Sequence, residues 1–464
     1  MKLGTIHPVW PVDLLPSLEA YAKTRTLVVL DDDPTGTQTV RDVPVLTDWH
    51  AGTLQSALES GEPVIFVLTN SRSLNTSEAI AVATSVGITL RNAAAASGRP
   101  MSLVSRSDST LRGHFPAEVD ALADACGLDG ARVLLAPYFG EGGRLTYGDV
   151  HYLLRHGEPV PVGETEFARD PVFGYRHSNL ISWVHEKLGD SHRPIISLSL
   201  DTVRFGGPEA IAQMLCALPA HGICIANAVE DRDIDVVAVG AAMAEDAGVP
   251  LIARAAASYV RSRAGQSRQP LLALPLIHGG TPGLILVGSH VPLTTRQLAR
   301  LLESPQPGPI RPIELPVNPL LQGGVAAQGI IAEAARRVEE TLAGGITATL
   351  FTSRVVAEET TASASLSLAA TISRGLVSVV DLVATRPAWL LAKGGITSSD
   401  VATGALRIRT ARVVGQLLPG VSVWRCDPDS RWPDLDFVVF PGNVGDDESL
   451  RLAYERLGEA GGPK

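Results

Sequence analysis

The chain has 464 residues, 45% hydrophobic and 19% charged, with a formal net charge of −10. That composition excludes a disordered chain and a nonspecific nucleic-acid binder, which needs a basic face to neutralise phosphates, and the length allows two or three domains. Four cysteines with no C-x-x-C pair exclude a zinc ribbon, a dithiol redox motif and a disulfide scaffold, and fit a reducing cytosol.

Charge is unevenly spread. Residues 1–270 carry 22 basic and 31 acidic groups, whereas 271–464 carry 17 and 18, which suggests two parts with different tasks. Only five basic residues are lysines (Lys2, Lys23, Lys187, Lys393 and Lys464), so few ammonium groups are available for a phosphate. The N-terminal residues lack a basic region followed by an apolar run, and no run approaches 18 uninterrupted apolar residues. The expectation is a cytoplasmic protein with no membrane partner.

In chain order, short apolar runs alternate with segments of helical period, which predicts an α/β fold. Strands are expected at Thr26–Leu30, Val64–Leu68, Leu103–Ser105, Val133–Leu135, Ile195–Leu198 and Ile223–Ala226. Helices are expected at Ser77–Ala96, Pro116–Ala125, Pro208–Leu218 and Asp235–Asp246. Residues 261–283, rich in Gly, Pro, Ser and Arg, read as a linker or crossover. A second series follows, with strands at Leu284–Val287, Ala348–Phe351, Ala388–Leu391 and Phe437–Phe440. Its helices are Thr295–Leu302, Ala326–Leu342, Leu366–Leu382 and Ser399–Ile408. The expected division is 1–265 with an N-terminal extension over 1–24, a linker at 266–283, and 284–464. Both domains should carry largely parallel sheets, with a cleft between them.

The densest chemical feature is Asp31-Asp32-Asp33-Pro34-Thr35-Gly36 after the first strand. Ligands of parallel α/β sheets bind beyond the carboxyl ends of strands, and crowded carboxylates there serve a metal, a proton or a ligand hydroxyl. The next two strand ends carry Thr69-Asn70-Ser71-Arg72-Ser73 and Arg106-Ser107-Asp108-Ser109-Thr110-Leu111-Arg112-Gly113-His114. Arginines that fork onto a carboxylate, beside aspartates that accept from hydroxyls, suit a small polyhydroxy acid. A glycine-flanked Arg144 in Gly142-Gly143-Arg144 could fold over it. In the second half, Lys393-Gly394-Gly395-Ile396-Thr397-Ser398-Ser399-Asp400 reads as strand, glycine turn and helix start. Thr397 and Asp400 have capping-box spacing, and such a turn can cradle phosphate on backbone amides. Gly288-Ser289 and Gly442-Asn443 end two further strands in the same half.

Several motifs are missing. There is no Gly-Lys dipeptide for a Walker A loop, no G-x-G-x-x-G opening a helix, no H-E-x-x-H and no G-x-S-x-G. His151, His156, His177, His185 and His192 lack helical ligand spacing and read as surface or loop histidines. Asp31, Asp33 and Thr35 form a D-x-D-x-T that resembles the nucleophile motif of haloacid-dehalogenase-like phosphatases. That family needs a lysine that residues 24–186 do not supply.

Taken in order, the residues resemble the four-carbon acid sugar kinase family over most of the chain. The resemblance rests on Asp32-Asp33-Pro34-Thr35-Gly36, Thr69–Arg72, Ser107-Asp108-Ser109-Thr110-Leu111-Arg112-Gly113, Gly143-Arg144, Gly288-Ser289, Gly394-Gly395-Ile396-Thr397-Ser398 and Gly442-Asn443-Val444-Gly445. It implies an N-terminal sugar-acid-binding domain, a C-terminal nucleotide-binding domain, and ATP-dependent phosphorylation of a terminal hydroxyl on a four-carbon acid of the threonate, erythronate or 3-oxo-tetronate type. It places the substrate on Asp32, Asp33, Arg72, Arg106, Ser107, Asp108, Ser109 and Arg144. ATP falls to Ser289, Lys393, Gly394, Gly395, Ile396, Thr397, Ser398, Gly442 and Asn443. Asp32 or Asp108 would be the general base, with Mg²⁺ on the ATP phosphates and its protein ligands left open. Two departures stand out: the family usually has Lys at Arg106, and Lys-Ser-Gly-Asn at Phe440-Pro441-Gly442-Asn443. The alternatives are a phosphatase using Asp31 and Asp33, or a sugar-acid sensor without catalysis. A homodimer is the base-rate expectation.

Overall fold

The computed structural model describes residues 7–273, 280, 282–303, 309–354 and 362–458. Its strands are β1 (Thr26–Asp31), β2 (Pro44–Leu46), β3 (Val64–Leu68), β4 (Met101–Arg106), β5 (Arg132–Ala136), β6 (Arg144–Tyr147), β7 (Val150–Arg155), β8 (Glu158–Pro161) and β9 (Ile195–Leu198). They continue as β10 (Ile223–Ala226), β11 (Leu251–Ala255), β12 (Leu284–Val287), β13 (Ile310–Leu315), β14 (Thr347–Thr352), β15 (Trp389–Lys393), β16 (Thr410–Leu418), β17 (Val421–Cys426) and β18 (Asp436–Phe440). The chain divides into two compact units, 1–32 with 48–268, and 33–47 with 269–464.

In the first unit seven strands pair in parallel, in the order β3-β1-β4-β11-β5-β10-β9. Every residue of β1, β3 and β11 is buried, the pattern of strands covered on both faces. The helix Thr76–Ser97 starts at a capping box: Asn75 accepts from the Glu78 amide at 3.0 Å, and Glu78 accepts from the Asn75 amide at 3.1 Å. Ala79, Ala83, Val86, Leu90 and Ala93 form its buried face. On length and composition this helix could cross a membrane, but its buried apolar stripe is also that of a helix covering a sheet. Two features are absent from the sequence reading. The N-terminal extension holds a helix, Leu15–Thr24, that buries Leu18 and Ala22. An antiparallel meander, β6-β7-β8, follows β5.

In the second unit the order is β13-β14-β12-β15-β18-β17-β16-β2. The first five strands run parallel, and β17, β16 and β2 add antiparallel pairs. Ile285, Trp389, Leu391, Phe440 and Tyr454 are among its fully buried core residues.

The segment 33–47 lies in the second unit, whereas the expected division kept 1–265 together. Its short helix Pro34–Thr39 is wholly buried. Thr37 Oγ1 donates to Ser422 Oγ at 3.1 Å and accepts from Trp424 Nε1 at 2.9 Å, and β2 pairs with β16. Such long-range bonds leave no local trace in sequence. The expected linker also shortens: Leu272 is buried and its amide donates to Gln416 O at 2.8 Å. Residues 274–279 and 281 lie outside the described residues.

Candidate active site

The first cluster sits at the carboxyl ends of β1, β3 and β4. Parallel register puts Asp31 beside Arg106. Arg106 Nη1 lies 3.1 Å from Asp31 Oδ1 and 3.5 Å from Asp32 Oδ1. The Asp32 amide donates to Arg106 O and its carbonyl accepts from the Arg72 amide, both at 3.3 Å. These bonds fix the backbone that carries Asp32. Both Asp32 carboxylate oxygens are buried and accept no hydrogen bond. Apart from the 3.5 Å ion-pair contact of Oδ1 with Arg106, that leaves a strong buried acceptor with no protein hydrogen-bond donor. Burial pushes the Asp31 carboxyl up to about 7 against the pull of Arg106, and neighbouring Asp32 adds to the push.

The loop after β4 forms the other wall. Burial alone would raise the Asp108 carboxyl, but Arg112 and Arg72 hold it well below the usual carboxylate range. Arg112 Nε donates to Asp108 Oδ2 at 2.8 Å, Arg72 Nη1 lies 3.5 Å from Oδ1, and the Thr110 hydroxyl also donates to it. Arg112 also reaches Asp170 at 3.4 Å and lies over the Phe167 ring. Ser107 and Ser109 are buried in the same loop. His114 Nε2 bonds the carbonyls of Ser71 (3.0 Å) and Leu74 (3.1 Å), tying the loop to the end of β3.

His151 corrects the histidine reading. It is fully buried, with Nε2 on Ser109 O at 2.8 Å and Nδ1 on Thr146 Oγ1 at 2.9 Å, and burial pushes it down to about 4. A neutral ring that donates to the carbonyl and accepts from Thr146 is a strut. His156, His177, His185 and His192 are exposed.

Arg144, on β6, donates to Gly142 O and lies over Phe139. Burial lowers its pKa, with Asp108 and Arg112 among the charges it feels. It also lines a cavity of about 640 Å³ with Tyr138, Asp231 and Arg261. The structure thus brings together Asp32, Arg72, Arg106 and Asp108, with Ser107 and Ser109 in the loop and Arg144 within electrostatic range of Asp108. Asp33 belongs to the other unit.

Two buried charges here escaped the sequence reading. Arg254 lies at the end of β11, between β4 and β5 in the sheet. Glu118 opens the helix Ala117–Ala125 and accepts from Ser71 Oγ at 2.5 Å, and burial pushes its carboxyl up to about 7. The available signal was an arginine inside the apolar run Leu251–Ala255.

In the second unit, the ends of neighbouring strands β12, β15 and β18 converge. A Cβ at Gly442 would lie 2.8 Å from Ser289 Oγ, and one at Gly288 would clash with Thr397 Oγ1. Gly394 has φ +123°, and a Cβ there would meet Ser289 Cβ at 3.1 Å. Asp33 faces the same turn, its Oδ2 2.9 Å from where a Gly395 Cβ would stand. Ser289, Gly394, Gly395, Thr397 and Gly442 are therefore close neighbours, with Ile396 between and Asn443 next along the chain.

Here too the local reading needs correction. The helix starts at Gly395, with Gly394 as N-cap and no side-chain cap, so Thr397 and Asp400 lie inside it. Ser398 Oγ donates to Ala392 O (3.0 Å) or Gly394 O (2.8 Å), which occupies its hydroxyl in the turn. Lys393 is fully buried, its Nζ donating to Pro441 O at 2.6 Å above the Phe440 ring, and desolvation lowers its pKa well below the ordinary value. Its ammonium braces the Pro441–Gly442 turn. A cation the sequence did not suggest, Arg354 beyond β14, donates through Nη2 to Ser289 O at 2.6 Å and to Thr295 Oγ1 at 2.9 Å.

Comparison with known proteins adds to this geometry. Residues 27–263 match the family model described as a sugar-binding N-terminal domain, and residues 284–450 match a nucleotide-binding C-terminal domain. The chain is 30% identical over 288 residues to a D-erythronate kinase of Heliobacterium modesticaldum, covering 59% of each protein. It is 27% identical over 367 residues to a 3-oxo-tetronate kinase of Cupriavidus necator, covering 76% of this chain and 77% of that one. The match thus spans about three fifths of the first relative's length. A solved DUF1537 protein of Haemophilus influenzae shares the fold, with TM-score 0.59 at 16% identity over 92% of this chain and 98% of that one.

Proposed function

The chain belongs to the four-carbon acid sugar kinase family, and on that premise we propose that it transfers the terminal phosphoryl group of ATP to a hydroxyl of a threonate, erythronate or 3-oxo-tetronate. The observation that carries this reading is the buried, unbonded carboxylate of Asp32 beside Arg72 and Arg106.

Arg72 and Arg106 bind the substrate carboxylate. Their own carboxylate partners, Asp108 and Asp31, hold the guanidiniums in place before substrate arrives. Asp32 is the general base. It takes the hydroxyl proton as the oxygen–phosphorus bond forms and the bond from phosphorus to the departing ADP oxygen breaks. Asp108 is a weak base in this setting, because two guanidiniums stabilise its ionised form. Asp31, its carboxyl pushed up by burial and paired with Arg106, is ill placed as a phosphatase nucleophile, and family membership removes that alternative.

The glycine turn at Gly394–Gly395, with Ser289 and Gly442, takes the ATP phosphates through backbone amides. Asp33, with a carboxylate oxygen close to that turn, fits the single-carboxylate environment that Mg²⁺ uses beside phosphates. When bound, Mg²⁺ supplies charge neutralisation on the phosphate oxygens.

The test is a coupled ADP-release assay over a panel of C4 sugar acids and keto-acids, with and without Mg²⁺. Turnover of one tetronate class that needs Mg²⁺ is expected. Calorimetric binding of a tetronate without ADP release from any of them would instead identify a sensor.

A further inference from the structure

We infer that Arg254 contacts the substrate directly: one hydroxyl oxygen of the sugar acid sits between Asp32 and Arg254, donating its hydrogen to the carboxylate and accepting from the guanidinium. The inference rests on the sugar-acid reading of the same site and adds a residue that determines which acid is accepted.

Three observations support it. Arg254 is 2% exposed, stands on a central strand and lies over the Phe115 ring. Its Nη2 donates to Arg112 O at 3.0 Å, while Nη1 is buried with no acceptor. Asp32 is likewise buried with neither oxygen hydrogen-bonded, and its Oδ2 also lacks the 3.5 Å ion-pair contact that Oδ1 makes with Arg106. The carboxylate and the guanidinium flank one point in space: a Cβ on Gly113 would lie 3.3 Å from Asp32 Oδ2, 3.2 Å from Arg254 Nη2, which has a second hydrogen to give, and 3.9 Å from the unpartnered Nη1. Opposite charges that close would normally collapse into an ion pair. Here Arg112 O, Phe115 and the strand hold the guanidinium, and the backbone bonds to Arg106 and Arg72 hold Asp32. The gap therefore keeps one donor and one acceptor apart. A hydroxyl, unlike a carboxylate or an ammonium, satisfies both at once.

Gly113 is the third member of the device. It has φ +115°, a conformation that favours glycine, and a side chain there would fill the gap. A buried site built to bond a hydroxyl discriminates strongly against an analogue that lacks it, because both partners are then left unpaired.

The experiment is calorimetric binding of whichever of threonate and erythronate binds more tightly, and of its three mono-deoxy analogues, to the full chain, repeated with Arg254→Lys and Arg254→Met. In the unmodified protein, one deoxy analogue is expected to lose about 10²-fold in affinity relative to the tetronate. In the Arg254 variants that penalty should shrink to severalfold, while the penalties of the other two analogues stay unchanged. Thermal midpoints identify any variant that fails to fold. The analogue series on the unmodified protein still decides in that case: equal, small penalties for all three analogues overturn the inference. So does a large penalty that survives in Arg254→Lys. If no C4 sugar acid binds at all, the function proposed above fails, whereas binding with no Arg254-dependent penalty removes this inference alone.

Discussion

The two candidate ligand ends are built from different materials. At the ends of β1, β3 and β4 the first unit gathers buried side-chain charges: Asp31, Asp32, Arg72, Arg106 and Asp108. At the ends of β12, β15 and β18 the second unit gathers glycines and hydroxyls, with Gly394 held at φ +123° and Cβ positions at Gly288 and Gly442 already filled by neighbours. Charge placed by side chains can read the stereochemistry of a small acid. Backbone amides read a phosphate chain and little else. The earlier acidic excess of the first half is thus answered locally, by arginines fixed on carboxylates.

If this contrast is right, the two ends should fail differently. The largest effect is expected at the charged end. Asp32→Asn keeps shape and removes the base, so kcat should fall by about 10²–10⁴-fold with the thermal midpoint little changed. Full turnover in a steady-state assay would take Asp32 out of the base role. Next comes the backbone end. Gly394→Ala forces a side chain into a positive-φ position facing Ser289, a strain of about 1–3 kcal/mol. It should raise KM for ATP by about tenfold or more while leaving KM for the sugar acid unchanged. Parallel rises in both constants would blur the division of labour.

The cations of the second unit sharpen the same contrast. Lys393 is spent on Pro441 O, whereas Arg354 reaches the Ser289 carbonyl and the Thr295 hydroxyl. Lys393→Met should therefore destabilise by about 1–3 kcal/mol, read by urea unfolding, because a buried carbonyl loses its donor. Its KM for ATP should move little. Arg354 Nη1 is buried with no hydrogen-bond partner, a donor left over beside Ser289, so if it serves a phosphate Arg354→Met should raise KM for ATP by about tenfold. The reverse pattern would return the phosphate to Lys393.

Much of both ends was legible because their chemistry is local. A buried strand followed by acids, or by two glycines, announces itself within a dozen residues, and the strand-end clusters at Asp31, Arg72, Arg106 and Lys393 lie where the pattern puts them. What stayed hidden was set by sheet order. β11 inserts between β4 and β5, so Arg254 reaches a site whose other members lie about 140 to 220 residues earlier in the chain. The burial of Pro34–Thr39 in the second unit depends on Ser422 and Trp424, nearly 400 residues away. Nothing in the sequence marks Glu118 beyond its place in the first turn of a helix. Only the fold shows it enclosed on Ser71 near Asp32 and Arg254.

That enclosure yields the smallest expected effect. Burial raises the folded-state pKa of Glu118 from an ordinary 4.5 to about 7. Below 4.5 the group is protonated in both folded and unfolded chains and adds no pH dependence. Between 4.5 and 7 the folded chain holds a proton that the unfolded chain has lost, so stability declines as pH rises, by up to about 1.4 kcal/mol per unit. Asp31, also raised to about 7, contributes a decline of the same sign, whereas Asp108, held low, adds stability that is lost only under acid. Glu118→Gln stays neutral and can keep the Ser71 bond. It should therefore remove part of the decline between pH 5 and pH 7 and raise the thermal midpoint at pH 8 above that of the unmodified protein. An unchanged slope in urea unfolding at several pH values would assign the decline to Asp31 and leave Glu118 ionised in the folded chain, a second buried negative charge competing with Asp32 for Arg254.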